Sequence, residues 1–226
     1  MSAREAILGK LKSRLAADPR RVGEAGVAER LARHDRGLIP ARAQGDAAHR
    51  VALLEAQVQA LAGTTQRVKS LDEVPQAVAD YLRGQNLPPT VKRAPHPLLR
   101  GLPFERVPLL EVSEGRAEGG DLTSLTPVFC AVAETGTLVL QSSPQTPTTL
   151  AFLPDNHIAV VKASQVLATY EEAFDLTRQA QGEGRMPRSF NFVTGPSRTA
   201  DIEQQIQLGA HGPRRLHIIL VEDVPL

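Results

Sequence analysis

Tryptophan is absent from this chain of 226 residues, and Phe and Tyr bring the aromatic share to only 4%. Platforms that stack the bases of single-stranded nucleic acid need more aromatic surface than that. A net charge of +1 also excludes an overall electrostatic clamp for a polyanion, so no nucleic-acid partner is expected. The single cysteine, Cys130, excludes a disulfide framework and any zinc site built on several thiolates. It equally excludes an iron–sulfur cluster held by this chain alone, which needs a set of cysteine ligands. No window approaches the ~18 apolar residues of a membrane span. The N-terminal stretch interleaves Arg4, Glu5, Lys10, Lys12 and Arg14 with apolar residues, unlike the unbroken core of a signal peptide. A cytoplasmic protein without a membrane span is the expectation. There is no Walker loop, no G-x-G-x-x-G, no G-x-S-x-G elbow, and no histidine spacing that suits a metal.

What is present is ordinary globular material, with 42% hydrophobic and 23% charged residues. The length suits one main domain plus an appendage. Residues 1–62 hold 11 Lys and Arg against 7 Asp and Glu, whereas the remainder holds 15 against 18. That first stretch reads as a helical extension. Ser2 and Glu5 have capping-box spacing, and Ile7, Leu8, Leu11 and Leu15 then share a face. A second helix runs from an Asp46 N-cap to a Gly63 stop, with the stripe Val51, Leu54, Val58 and Leu61.

From residue 63 to 226 the pattern becomes strand–helix alternation. Strands are expected at Thr65–Lys69, Thr90–Lys92, Val128–Val132, Thr137–Leu140, His157–Val161, Phe190–Val193 and Leu216–Val221. One helix carries Val74, Val78, Tyr81 and Leu82, with Pro75 in its first turn. Another carries Val166, Leu167, Tyr170 and Phe174 inward. Residues 94–120 are rich in Pro, Gly and charge and read as irregular, with His96 a loop residue. The last run is apolar throughout, as in a strand covered on both faces. These features predict an α/β domain with a mostly parallel sheet flanked by helices.

Three polar segments beside these strands are candidates for chemistry. In Ala133-Glu134-Thr135-Gly136-Thr137 a carboxylate sits on a turn between two buried strands. Either Glu134 faces a cleft as base, nucleophile or ligand anchor, or it simply points at water. Thr194-Gly195-Pro196-Ser197-Arg198-Thr199-Ala200-Asp201-Ile202-Glu203 follows a strand directly. Gly195 lets backbone approach a ligand, Ser197 and Thr199 offer hydroxyls, and Arg198 pairs with a carboxylate or phosphate. The same residues also read as a helix start, with Ser197 or Thr199 capping and Asp201 and Glu203 at the positive end. In Gly209-Ala210-His211-Gly212-Pro213, His211 lies on open backbone where a ligand can reach its ring, or the segment is merely a turn. If the three meet, Ser197, Thr199 and Arg198 hold an anionic group while Glu134 and His211 face the rest of the ligand. Cys130, inside an apolar strand, reads as an inert buried thiol.

These three blocks, in this order and separation, closely resemble the lactate utilization protein C family, whose common unit is the LUD domain. The resemblance is strongest from about Leu125 to Val221, and the N-terminal helix with its Ile7-Leu8 pair is similar too. Ala210 departs from it, standing where a larger apolar residue is expected. The resemblance implies a fold like that of the sugar-phosphate isomerase, deaminase and CoA-transferase superfamily. It implies a non-redox subunit of a system oxidising L-lactate to pyruvate, with iron–sulfur clusters carried by partner subunits. Read from the three blocks themselves, the candidate catalytic groups are Glu134 and His211. The candidate ligand-binding residues are Thr135, Gly136, Thr137, Gly195, Ser197, Arg198, Thr199, Asp201, Glu203 and Gly212. A free-standing transferase or isomerase, acting on acyl-CoA or a sugar phosphate through Glu134, is the alternative.

Overall fold

The computed structural model describes residues 2–16, 23–182, 184–199 and 207–224. The chain divides into two compact units, Met1–Leu38 and Ile39–Leu226. In the first unit the capping box forms as expected. Ser2 Oγ accepts from the Glu5 amide and Glu5 Oε2 from the Ser2 amide, starting helix α1 (Ala3–Ala16). Helix α2 (Glu24–Arg33) ends at His34 in the left-handed region.

The second unit contains helix α3 (Ala47–Ala60), started by Asp46, whose carboxylate accepts from the His49 amide at 2.8 Å. Val51, Leu54 and Val58 of α3 are fully buried among residues of the parallel sheet described next. The α/β unit therefore begins at Ile39 rather than at residue 63, and α3 belongs to its core instead of to an appendage.

Six strands build the main sheet: β1 (Thr64–Val68), β2 (Thr90–Arg93), β3 (Glu111–Glu114), β4 (Thr123–Pro127), β7 (Asn156–Lys162) and β12 (Arg215–Val221). Their order is β1-β12-β7-β4-β2-β3, and every pairing is parallel. A second, mixed sheet has the order β8-β5-β6-β9, from β5 (Cys130–Val132), β6 (Thr137–Gln141), β8 (Val166–Leu167) and β9 (Phe190–Thr194). Strands β5 and β6 form the expected antiparallel hairpin, with Gly136 at φ +69° in its turn. A short antiparallel ribbon joins β10 (Arg198–Thr199) to β11 (Gln207–Leu208).

Strand β12 shows how the layers stack. Ile219 and Val221 face a core shared with Val78 and Leu82 of α4 (Val74–Gly84) and Leu99 of α5 (Pro97–Arg100). Leu216, Ile218 and Leu220 face the opposite core, shared with α3 and with Leu138 of the second sheet. Both faces are buried, so apart from His217 the run from Leu216 to Val221 is apolar. The outer face of the second sheet packs Cys130, Val132 and Val139 on Ala173 of α7 (Tyr170–Gln181). The remaining helix, α6 (Thr149–Phe152), lies between β6 and β7 in the chain.

Three local expectations change. Residues 94–120 contain α5 and β3 rather than irregular chain alone. Val166 and Leu167 form a strand, because α7 begins only after Thr169, whose hydroxyl accepts from the Glu172 amide; the helix buries Ala173 and Thr177 while Phe174 is exposed. Strand β4 (TSLTP) was hidden by its hydroxyls, although it is buried throughout. Its polar groups are paired inside the protein: Ser124 Oγ donates to the Leu150 carbonyl and Thr126 Oγ1 bonds His157 Nε2. A paired hydroxyl can be buried without the penalty that an orphaned one incurs.

Candidate functional site

The first motif block is held by packing against α3 and α7. A Cβ on Gly136 would stand 2.8 Å from the Gln57 Cβ and 2.9 Å from the Val58 amide, so the hairpin turn touches the α3 backbone. Glu134 is only 7% exposed and is directed at the start of α7, where Oε1 accepts from the Tyr170 amide at 2.9 Å. Its own carbonyl accepts from Arg42 Nε at 3.1 Å. Glu134 thus neither points at water nor lines a described cavity; it satisfies an orphan donor at a helix N-terminus. Thr135 and Thr137 join a hydroxyl cluster in which Thr137 Oγ1 lies 2.8 Å from the Tyr170 hydroxyl and 2.7 Å from Thr194 Oγ1.

The second and third blocks meet. The Ser197 amide donates to the Pro213 carbonyl, Gly209 N–H donates to the Ser197 carbonyl, and His211 N–H donates to Ser197 Oγ at 3.3 Å. Arg198 reaches back to α3, where Nη2 donates to the Leu61 carbonyl. Gly195, at φ +75°, sits where a Cβ would meet Leu61 Cβ at 3.0 Å. Arg198 and Thr199 form β10, and the residues that would continue the expected helix start, Asp201 and Glu203 among them, lie outside the described residues.

Between the two blocks is a cavity of about 400 Å³, walled by Gly195, Ser197, Arg198, His211, Gly212 and His157. Thr194 and Phe192 add to this wall, and through Thr194 it adjoins the Thr137–Tyr170 hydroxyls. Ser197, Arg198, His211, Gly195 and Gly212 are therefore brought together. Glu134, Thr135, Gly136, Thr137 and Thr199 are not in the wall. The cavity opens at the amino ends of β7 and β12, since His157 and Leu216 are the second residues of those strands.

His157 carried no site expectation, yet it is the most perturbed group here. It is 1% exposed, and burial pushes its pKa down to about 4, so the ring is neutral. Nε2 bonds Thr126 Oγ1 at 2.7 Å, while the buried Nδ1 has no partner. A histidine opening an otherwise apolar strand was the available signal. His217, on the opposite face of the sheet, has its pKa lowered to about 4 by burial as well, with Nδ1 on Thr64 Oγ1 at 2.8 Å and the ring stacked on Tyr81. Cys130 is fully buried, and burial pushes its thiol up to about 12, an inert state for a thiol.

A second cavity, of about 470 Å³, lies beyond α6 and the His157–Thr126 pair; Ala151 contributes to both. Its wall includes His96, Thr126, Gln141, Gln165, Gln181 and Asn191. Among the described residues no cluster of three or more His, Cys, Asp or Glu could hold a metal, and no helix is long and apolar enough to cross a membrane.

A parallel central sheet, a mixed sheet stacked on it, and two cavities define an α/β protein of the open-sheet class. Residues 122–221 match the LUD domain family. It is 40% identical over 92 residues to lactate utilization protein C of Shouchella clausii, covering 41% of this chain and 40% of that protein. It is 40% identical over 93 residues to lactate utilization protein C of Bacillus subtilis, covering 41% and 39%. The matched stretch thus spans about two fifths of the length of these curated relatives. A crystal structure of a DUF162 family protein from Deinococcus radiodurans shares the fold, with a TM-score of 0.58 at 23% identity over 79% of this chain and 99% of that one.

Proposed function

We propose that this chain is a non-redox component of a lactate-utilization system and binds a small carboxylate anion in the cavity between its second and third motif blocks. The observation that carries the reading is the convergence of Ser197, Arg198 and His211 on one cavity of about 400 Å³, within the size range of small-molecule sites. Arg198 is exposed along with His211, so its guanidinium is accessible to an anion even while Nη2 holds the Leu61 carbonyl. A charge-assisted bond from Arg198, a hydroxyl from Ser197 and the His211 imidazole suit one carboxylate and its neighbouring oxygen. The relatives named lactate utilization protein C supply the physiological context.

Electron transfer in this reading falls to iron–sulfur partner subunits, because the one cysteine of this chain is buried and held as a thiol. The test is deletion of the gene combined with recovery of the tagged protein from lactate-grown cells. Growth on L-lactate should fail while growth on glucose continues, and iron-containing proteins should accompany the chain. Undiminished growth on lactate would refute the assignment.

A further inference from the structure

We propose that the second cavity is a separate binding site for an uncharged, polyhydroxylated small molecule. Its place in the fold is the first argument. The chain leaves β2 toward β3 on one side of the sheet and leaves β4 toward β7 on the other, although β2 and β4 are neighbours. Between two such strands the following loops part and open a crevice at the carboxyl ends, the position at which open α/β sheets take their ligands. The cavity occupies this crevice: Thr126 and Pro127 end β4, and His96 and Leu98 follow β2. The motif-block cavity lies at the amino ends of β7 and β12, so the two are distinct places.

The chemistry of the wall gives the ligand class. No Asp, Glu, Lys or Arg lines it among the described residues; the polar groups are amides, hydroxyls and one imidazole. A charged ligand entering here would lose its water without meeting a countercharge. An amide or hydroxyl instead both donates and accepts, which matches the paired demands of an alcohol group. Gln141 has such capacity to spare: its Oε1 accepts from Gln181 Nε2, while its buried Nε2 has no partner. His96 Nδ1 accepts from the Leu98 amide, which leaves the proton of the neutral ring on Nε2 as a donor. Phe129 and Leu140 supply apolar surface for the C–H faces of a polyol.

The test uses the side-chain amide resonances of Gln141, Gln181 and Asn191 in the full chain, titrated with D-ribose and, separately, with ribose 5-phosphate. Ribose should shift these resonances saturably, and the phosphate ester should bind the same groups at least tenfold more weakly. Gln145→Trp, at an exposed position on the rim, should abolish the shifts while leaving the rest of the spectrum in place. Gln141→Met should weaken them in a folded protein, and Arg198→Ala, in the other cavity, should not alter them. Equal or tighter binding of the phosphate ester at these groups, shifts that survive Gln145→Trp, or no saturable shift with ribose would each overturn the proposal. Because the readout is local to this cavity, its failure leaves the carboxylate site and the lactate role to their own test.

Discussion

At the scale of single residues, Glu134 and Arg198 separate two kinds of polar side chain. Glu134 is nearly buried and bonded to the Tyr170 amide, so its first duty is structural. Glu134→Ala leaves that amide unpaired and should destabilise the protein by about 1–2 kcal/mol, measured by urea unfolding. Glu134→Gln retains an acceptor and should lose less than half of that. If Glu134→Gln were as damaging to lactate growth as a deletion while remaining stable, the carboxylate would have a chemical role that its hydrogen bond does not explain. Arg198 is exposed, and its contact with Leu61 contributes little to stability. If the proposed carboxylate site is right, Arg198→Ala should weaken binding of a small carboxylate anion roughly tenfold or more, each ~1.4 kcal/mol being a factor of ten, with the midpoint of urea unfolding nearly unchanged. Titration calorimetry showing equal affinity for the variant and the parent protein would remove Arg198 from the site.

At the scale of elements, α3 organises the motif blocks. Gly136 and Gly195 each touch it where no side chain fits, and both have positive φ. Gly136→Ala brings a left-handed penalty of about 1–2 kcal/mol, and the overlap with Gln57 and Val58 adds to it. The expected result is a lower unfolding midpoint together with perturbed resonances at Thr194 and Ser197, since Gly195 and Arg198 contact Leu61 at the end of the shifted α3. A chain starting at Ile39 should unfold cooperatively. A chain starting at residue 63 lacks Val51, Leu54 and Val58, whose individual loss typically costs about 1–5 kcal/mol, and should not fold. Circular dichroism with thermal melting distinguishes these outcomes. A cooperative melt from residue 63 onward would contradict the role given to α3.

At the scale of the whole molecule, His157 and His217 link stability to pH from opposite faces of one sheet. Both pKa values are lowered by burial to about 4, from an ordinary 6.5. Between those values the unfolded chain binds protons that the folded chain refuses, so stability rises with pH from about 4 to about 6.5 and is complete above it. A tenfold change in a proton's binding constant corresponds to about 1.4 kcal/mol, so the two histidines together contribute several kcal/mol. Urea unfolding at pH 7 and at pH 4.5 should show this loss, and His217→Gln should flatten it. Equal slopes in the variant and the parent would assign the acid sensitivity to other groups.

Local and pairwise physics made much of this architecture readable from the residues alone. The capping box at Ser2, the Asp46 cap, the 130–141 hairpin and the apolar run of β12 all follow from spacing and side-chain type, which act over a few residues. The meeting of Ser197 with His211 was also legible, because each block is pinned to the end of a strand. Tertiary structure alone decided the rest. Strand β4 is buried because Leu150 and His157, distant in sequence, accept or share its hydroxyl protons, and no periodicity records such partners. Glu134 caps a helix because Tyr170, on a later element, presents its amide there, a contact that no local spacing records. The second cavity depends on the order in which parallel strands are laid into the sheet. That order is set by which apolar faces bury one another across the whole chain, and no segment carries it by itself.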